Sequence, residues 1–261
     1  MRVTRIGGPT ALIEFDGWRI LTDPTFDPPG RRHGFGFGTS SVKTVGPAIA
    51  RADLGRIDAV LVSHDHHADN LDDAGREFLA TAPVVVTTRS GRARLGGDRV
   101  VGLGAWESTV IERADGARLD VTATPCRHGP PFSHPIVGDV IGFALARPGE
   151  TTTALWMSGD TVASRGTRDV ARRLDVDVAL IHLGAVRFPI TGPLRYSLDG
   201  RSAVRLLEAV DPRIVLPVHF EGWSHFSEPE PRLRAELEGS TISRRIRWLP
   251  LGVAVDVPAR G

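Results

Sequence analysis

Among its 261 residues the chain has one cysteine, one tyrosine, two methionines and a single lysine, Lys43. A lone Cys126 forms no intramolecular disulfide, so the fold must be held by burial and hydrogen bonding, which fits a reducing compartment and a cytoplasmic location. No apolar run approaches the length that crosses a bilayer, and Met1 to Pro9 lead into strand-like sequence without the apolar centre of a secretion signal. Thirty-two basic residues stand against thirty-one acidic ones, a formal charge of +1. Without a long run of either sign there is no electrostatic footprint for nucleic acid, so the expected partner is a small-molecule substrate, with no nucleic acid and no membrane. A homo-oligomer is the default expectation for such a chain.

What is present is a scatter of short apolar segments punctuated by glycine and proline. Arg2 to Ile6, Ala11 to Phe15 and Trp18 to Leu21 read as strands, the last two joined by the hairpin signal Asp16-Gly17. A Gly/Pro-rich stretch at about 24–47 reads as a loop over a site. Further strands are expected at 59–62, 84–86, 100–103, 109–112, 118–124, 140–146, 153–157, 178–181, 214–218 and 246–257. Helical spacing marks 71–80, 167–174, 198–210 and 231–238, with Asn70 as a helix start. No compositional break divides the chain, so residues 1–261 are expected to form a single α/β domain.

Histidine placement points to chemistry. Ser63-His64-Asp65-His66-His67-Ala68-Asp69-Asn70 lies between a buried strand and a helix, and imidazoles with carboxylates in one turn form a donor set suited to a divalent metal. His128, Asp160 and His219 also follow strands, at the kind of position where sites in α/β folds assemble. His182 ends another strand. Trp223 and His225 either line a pocket, with His225 donating a proton to a leaving group, or are ordinary packing. Tyr196 reaches an oxyanion or simply packs, and Arg187 and His134 occupy loops after strands. His33 is expected to be exposed. Cys126 is a small buried side chain or a soft ligand.

These residues resemble the metallo-β-lactamase superfamily. Ser63-His64-Asp65-His66, His128, Ser158-Gly159-Asp160-Thr161 and Pro217-Val218-His219 stand in that family's order. Ile6-Gly7-Gly8, Leu12-Ile13-Glu14 and Leu21-Thr22-Asp23-Pro24 are similar to the branch of ascorbate-6-phosphate lactonase-like proteins and their phospholipase relatives. The resemblance implies a four-layered αββα sandwich with a metal centre at one edge. By family position His64, His66 (or His67) and His128 hold one metal, Asp160 bridges, and His219 joins Asp69 on a second. The chain departs from the family's H-x-H-x-D-H: read without a gap, Ala68 stands at the aspartate position and Asp69 at the final histidine. A loop longer by one residue gives His67 and Asp69 the histidine and aspartate roles, with Asn70 in place of the last histidine.

The implied activity is hydrolysis by a metal-activated water of a lactone, phosphoester or amide bond in a small polar substrate. One or two divalent ions are expected, zinc first, with manganese or iron favoured by an oxygen-rich second set. Asp69 is the first candidate for orienting the water and taking its proton, Asp65 the second, and Asp65 is equally placed to hold an imidazole tautomer. The loss of the motif aspartate at Ala68 leaves a rival reading, a catalytically weak metal-binding sensor or complex subunit. Redox chemistry at an iron pair is a third.

Overall fold

The apolar runs pair into two separate sheets, and the contacts of the computed structural model, which describes residues 1–258 and 260, divide the chain into two units. The first unit comprises Met1–Gly102, Glu221–His225 and the described part of Leu249–Gly261. The second comprises Leu103–Phe220 and Phe226–Trp248.

In the first unit β1 (Arg2–Gly7), β2 (Thr10–Phe15) and β3 (Trp18–Thr22) form the expected meander. The stretch read as an irregular loop contains a two-stranded hairpin, β4 (Arg32–Gly36) and β5 (Thr39–Val42). Then come β6 (Ala59–Leu61), α1 (Asp73–Phe78), β7 (Val85–Thr88), α2 (Arg89–Leu95) and β8 (Val100–Leu103). The sheet runs from the late strand Ala254–Asp256 through β1, β2, β3, β6 and β7 to β8, with β3, β6 and β7 parallel. Helix α2 was not foreseen, its Arg89-Ser90-Gly91-Arg92 start carrying little apolar periodicity. Thr88 caps it by accepting from Gly91 N–H.

One carboxylate ties this unit's loops to α1. Asp72, rather than Asn70, is the N-cap, and its side chain accepts N–H bonds from Phe26, Asp27 and Gly75 at 2.7–2.8 Å. The chain's only lysine, buried, adds its ammonium to the same carboxylate at 2.8 Å. A buried ion pair with this many donors is costly to break from one side because the remaining charge has nowhere to be solvated.

The second unit contains β9 (Ser108–Glu112), β10 (Arg118–Pro125), α3 (His134–Val137), β11 (Ile141–Ala146), β12 (Thr152–Met157), α4 (Arg165–Arg173), β13 (Asp175–His182), α5 (Gly200–Val210), β14 (Ile214–Val218) and α6 (Glu230–Glu238). Its six-stranded sheet has the order β14-β13-β12-β11-β10-β9, parallel from β12 to β14 and antiparallel beyond. Helix α5 buries Ala203, Leu206, Leu207 and Val210, the spacing of one helical face, in a core with Ala179, Ile181 and Val215. The strand expected over 246–257 is not continuous. Ile246 makes one bridge to Val215, and strand pairing resumes only at Ala254, because the Pro250 and Gly252 turn intervenes.

No helix among the described residues is long and apolar enough to cross a membrane. Glu228 is buried and accepts from Gly200 N–H at the start of α5 at 2.7 Å; burial, with help from Asp199, raises its carboxyl above the ordinary range. A carboxyl raised in the folded state stabilises when protonated and loses that contribution as pH rises through its folded value. Glu228→Gln is therefore expected to be more stable than wild type at pH 7.5, with the gain vanishing in thermal melts near pH 4. In urea titrations Asp72→Ala is expected to lose about 3–5 kcal/mol, and Lys43→Met less, since Asp72 keeps three backbone donors.

Candidate functional site

In the first unit the parallel pairing of β3 and β6 sets Thr22 beside Leu61, so the residues leaving the two strands meet. Asp23 accepts from Ser63 N–H at 2.6 Å on one oxygen and from the Ser63 hydroxyl at 2.9 Å on the other. With its proton committed to Asp23, the Ser63 oxygen is the acceptor for His64 Nδ1 at 3.0 Å. The chain from carboxylate to hydroxyl to imidazole leaves the His64 lone pair on Nε2, the arrangement that orients a metal-binding histidine. Asn70, which the sequence reading offered as a helix cap, is buried and donates to Asp23 at 3.1 Å.

His64 Nε2 lies 3.2 Å from His67 Nδ1. Two imidazole nitrogens bound tetrahedrally to one zinc at about 2.0–2.1 Å are separated by roughly 3.3–3.4 Å, so this spacing suits a shared cation. His66 closes the group: its ring centroid is 5.0 Å from that of His64 and 4.3 Å from that of His67. The three residues each offer a ligand atom, all within 4.8 Å of one another. Both histidines between which the sequence could not choose are thus brought to His64.

The two aspartates of the loop part company. Both oxygens of Asp65 are engaged by the Arg94 guanidinium, the Nε contact at 2.8 Å, and Arg76 donates to the Asp65 carbonyl. Burial would raise the Asp65 carboxyl, but Arg94, His66 and Arg76 outweigh it and hold it below the ordinary range. Asp65 therefore braces the loop through arginine. Asp69 is buried, and its Oδ2 lies 3.1 Å from Nε2 of His225, itself buried. Ala68 carries no donor. Phe35, on β4, packs against His67 and His225 with centroids 5.4 and 5.5 Å away.

In the second unit the neighbouring parallel strands β12, β13 and β14 end side by side, with Met157 beside Leu180 and His182 beside Val218. This register delivers Asp160, His182 and His219 to one edge. Gly159, at φ +63°, makes the turn into Asp160; a Cβ there would come within 2.6 Å of the Ile141 carbonyl. His219 holds a left-handed φ of 56°, strain that non-glycine residues carry mainly at functional positions. His219 Nδ1 donates to Asp160 Oδ1 at 2.7 Å, while Asp160 Oδ2 is buried without a hydrogen-bond partner. Burial would raise the Asp160 carboxyl, yet His219, with His128 and His182, holds it below the ordinary range. His128 Nδ1 donates to the Tyr196 carbonyl at 2.7 Å, which places its lone pair on Nε2.

Tyr196 supplies that carbonyl, and its ring packs on Phe188 at 5.7 Å. Cys126 donates its thiol to the Ser158 carbonyl at 2.8 Å. His182 is buried, its backbone N–H bound to Ser158 Oγ at 2.9 Å. His134 is exposed beside Asp139. His33, expected to be exposed, is buried against Trp223 at 5.2 Å because the hairpin turns it inward. Asp23 stands in the Leu21-Thr22-Asp23-Pro24 motif at a strand end, but the sequence assigned it no role, and Arg94 and Phe35 carry no sequence signal because they depend on an unforeseen helix and hairpin.

In the second unit a buried Asp160 oxygen with no donor beside imidazoles set by carbonyl and carboxylate partners, and in the first unit an imidazole set by a hydroxyl, fit a divalent cation better than a solvated polar turn. The comparisons with known proteins agree. Residues 18–220 match the family model described as a beta-lactamase superfamily domain. A protein of Carboxydothermus hydrogenoformans named as a metal-dependent hydrolase is 26% identical over 232 residues, 85% of this chain and 86% of that one. An uncharacterized protein of Mycobacterium bovis is 31% identical over 300 residues, covering 100% of this chain and 68% of its own length. Among solved structures, isothiocyanate hydrolase from Delia radicum gut bacteria superposes with a TM-score of 0.79 at 19% identity, over 99% of this chain and 100% of that one, which shows the metallo-β-lactamase fold. With the family model covering most of its length, the chain belongs to the beta-lactamase superfamily of metal-dependent hydrolases.

Proposed function

We propose that the protein hydrolyses a lactone, phosphoester or amide bond in a small polar substrate, with His64, His66, His67, His128, Asp160, His219 and Asp69 supplying the ligands of one or two divalent ions. The observation that carries this reading is the pair of imidazole nitrogens of His64 and His67, 3.2 Å apart and held by a buried chain that begins at Asp23. A bound divalent ion makes water acidic near neutral pH and polarises the oxygen of the bond to be cleaved. The nitrogen-rich donors around His64 favour zinc; carboxylate-rich positions at Asp69 and Asp160 suit manganese or iron as well. The lactonase-like branch, read from Leu21-Thr22-Asp23-Pro24, ranks lactones and phosphoesters above β-lactams.

The chain's own residues divide the remaining work. Asp69, as carboxylate, accepts the proton of the attacking water. His225 Nε2, 3.1 Å from Asp69 Oδ2, shares that proton and passes it to the departing oxygen or nitrogen. Arg94, by gripping Asp65, keeps the intervening peptide from moving between His64 and His66. The rival reading, a metal-binding sensor, rests on Ala68. It requires stoichiometric metal and no turnover.

Asp69→Ala is expected to keep the ion held by the histidines of the His64, His66 and His67 group, measured by mass spectrometry of the digested protein, and to lose at least about 100-fold in kcat on a lactone or phosphodiester turned over by wild type. Wild-type protein with full metal and no hydrolysis across a panel of lactones, phosphodiesters and amides favours the sensor instead. Asp23→Ala removes no proposed ligand, yet it is expected to weaken metal affinity by about 10–100-fold in chelator competition, because His64 loses the group that fixes its tautomer. Unchanged affinity removes Asp23 from the account.

A further inference from the structure

The hairpin of β4 and β5 brings one large side chain to the imidazoles of the first unit. Phe35 stands between Gly34 and Gly36, and its ring contacts His67 at 5.4 Å, His225 at 5.5 Å and Trp223 at 6.2 Å. Trp223 is itself fixed from behind by His33 at 5.2 Å and by the Lys43 ammonium at 5.8 Å from its ring centroid. His33, Lys43, His67, Trp223 and His225 are all buried, whereas Phe35 is only half-buried. A Cβ built on either flanking glycine meets nothing within 4 Å, so no crowding has excluded larger side chains beside it. Phe35 is therefore the exposed face of an otherwise enclosed ring cluster, and it touches both a proposed ligand and the proposed proton donor.

Resting on the function proposed above, we infer that Phe35 is a specificity-determining residue, packing against an aromatic or similarly flat apolar group that the substrate carries next to its polar reacting centre. An aromatic ring offers such a group edge or face contact and area removed from water. Phe35 packs against His67 and His225, so a substituent resting on its half-buried ring lies near the bond being cleaved and not at a remote subsite. A flat group is favoured over a branched one because the Phe35 and Trp223 planes are inclined by 48°, leaving an angular wall that a thin ring can follow. The preference is a property of the hairpin and is separable from metal binding.

The test uses metal-loaded protein and two non-hydrolysable anions, benzylphosphonate and methylphosphonate, titrated calorimetrically. Wild type is expected to bind the benzyl compound about 10-fold more tightly. That ratio is expected to fall below about 3 in Phe35→Ala and in Phe35→Leu, the second keeping apolar bulk so that the hairpin folds, and to be retained in Phe35→Tyr. A wild-type ratio near one, or a ratio unchanged in both Phe35→Ala and Phe35→Leu, overturns the inference. Metal content is measured in the same samples. A metal-loaded protein that binds neither anion overturns this inference alone, whereas a protein that holds no metal and binds neither overturns the proposed function with it.

Discussion

The structure is governed by the need to compensate polar groups taken out of water. His64, Asp23, Asn70, Asp160, His182 and His219 are all buried, and each such group costs free energy unless hydrogen-bonded or bound to a cation. In the first unit compensation is sequential: Asp23 accepts hydrogen bonds from Ser63 and Asn70, and the Ser63 oxygen accepts one from His64. In the second it is direct, His219 against Asp160 and His128 against a backbone carbonyl. Both schemes engage Nδ1 of His64, His128 and His219, which leaves the lone pair of each ring on Nε2.

Parallel strand pairing is what makes that arrangement reproducible. In each unit the side chains of His64 and of Asp160, His182 and His219 follow the carboxyl ends of neighbouring parallel strands, where the ladder stops and backbone groups become available to position loops. Supporting interactions lie farther out. Asp72 gathers three backbone N–H groups and Lys43, anchoring the loop that follows β3, and Arg94 on α2 clamps Asp65 between two histidines. Neither residue is a proposed ligand, yet both restrict where the proposed ligands can stand. The left-handed backbone of His219 is tolerated for the same reason, its side chain being fixed by Asp160.

Much of this was legible in the sequence. Buried strands such as Ile214–Val218 are continuous apolar runs ending in a polar residue, so both the strand and the position of His219 could be read directly. Helix α5 declared itself by the spacing of Ala203, Leu206, Leu207 and Val210. The β4 and β5 hairpin did not, because Arg32-His33-Gly34-Phe35-Gly36 has no apolar alternation and is ordered by contacts to Trp223 and His67, far along the chain. Asn70 misled for a related reason. Asn and Asp are interchangeable as caps by propensity, and only the tertiary position of Asp23 decides that Asn70 turns inward while Asp72 caps. The choice between His66 and His67 could not be made from spacing, since a turn of this shape directs both at His64.

The most direct test of the central claim, that buried imidazoles and carboxylates here enclose a divalent cation, is anomalous diffraction recorded on both sides of the zinc, manganese and iron edges from crystals of the protein. The account predicts at least one anomalous peak within about 2.0–2.2 Å of His64 Nε2, of the element whose edge produces it. Crystals grown with excess metal that show no such peak, with His64 Nε2 and Asp160 Oδ2 bonded to water, would contradict it.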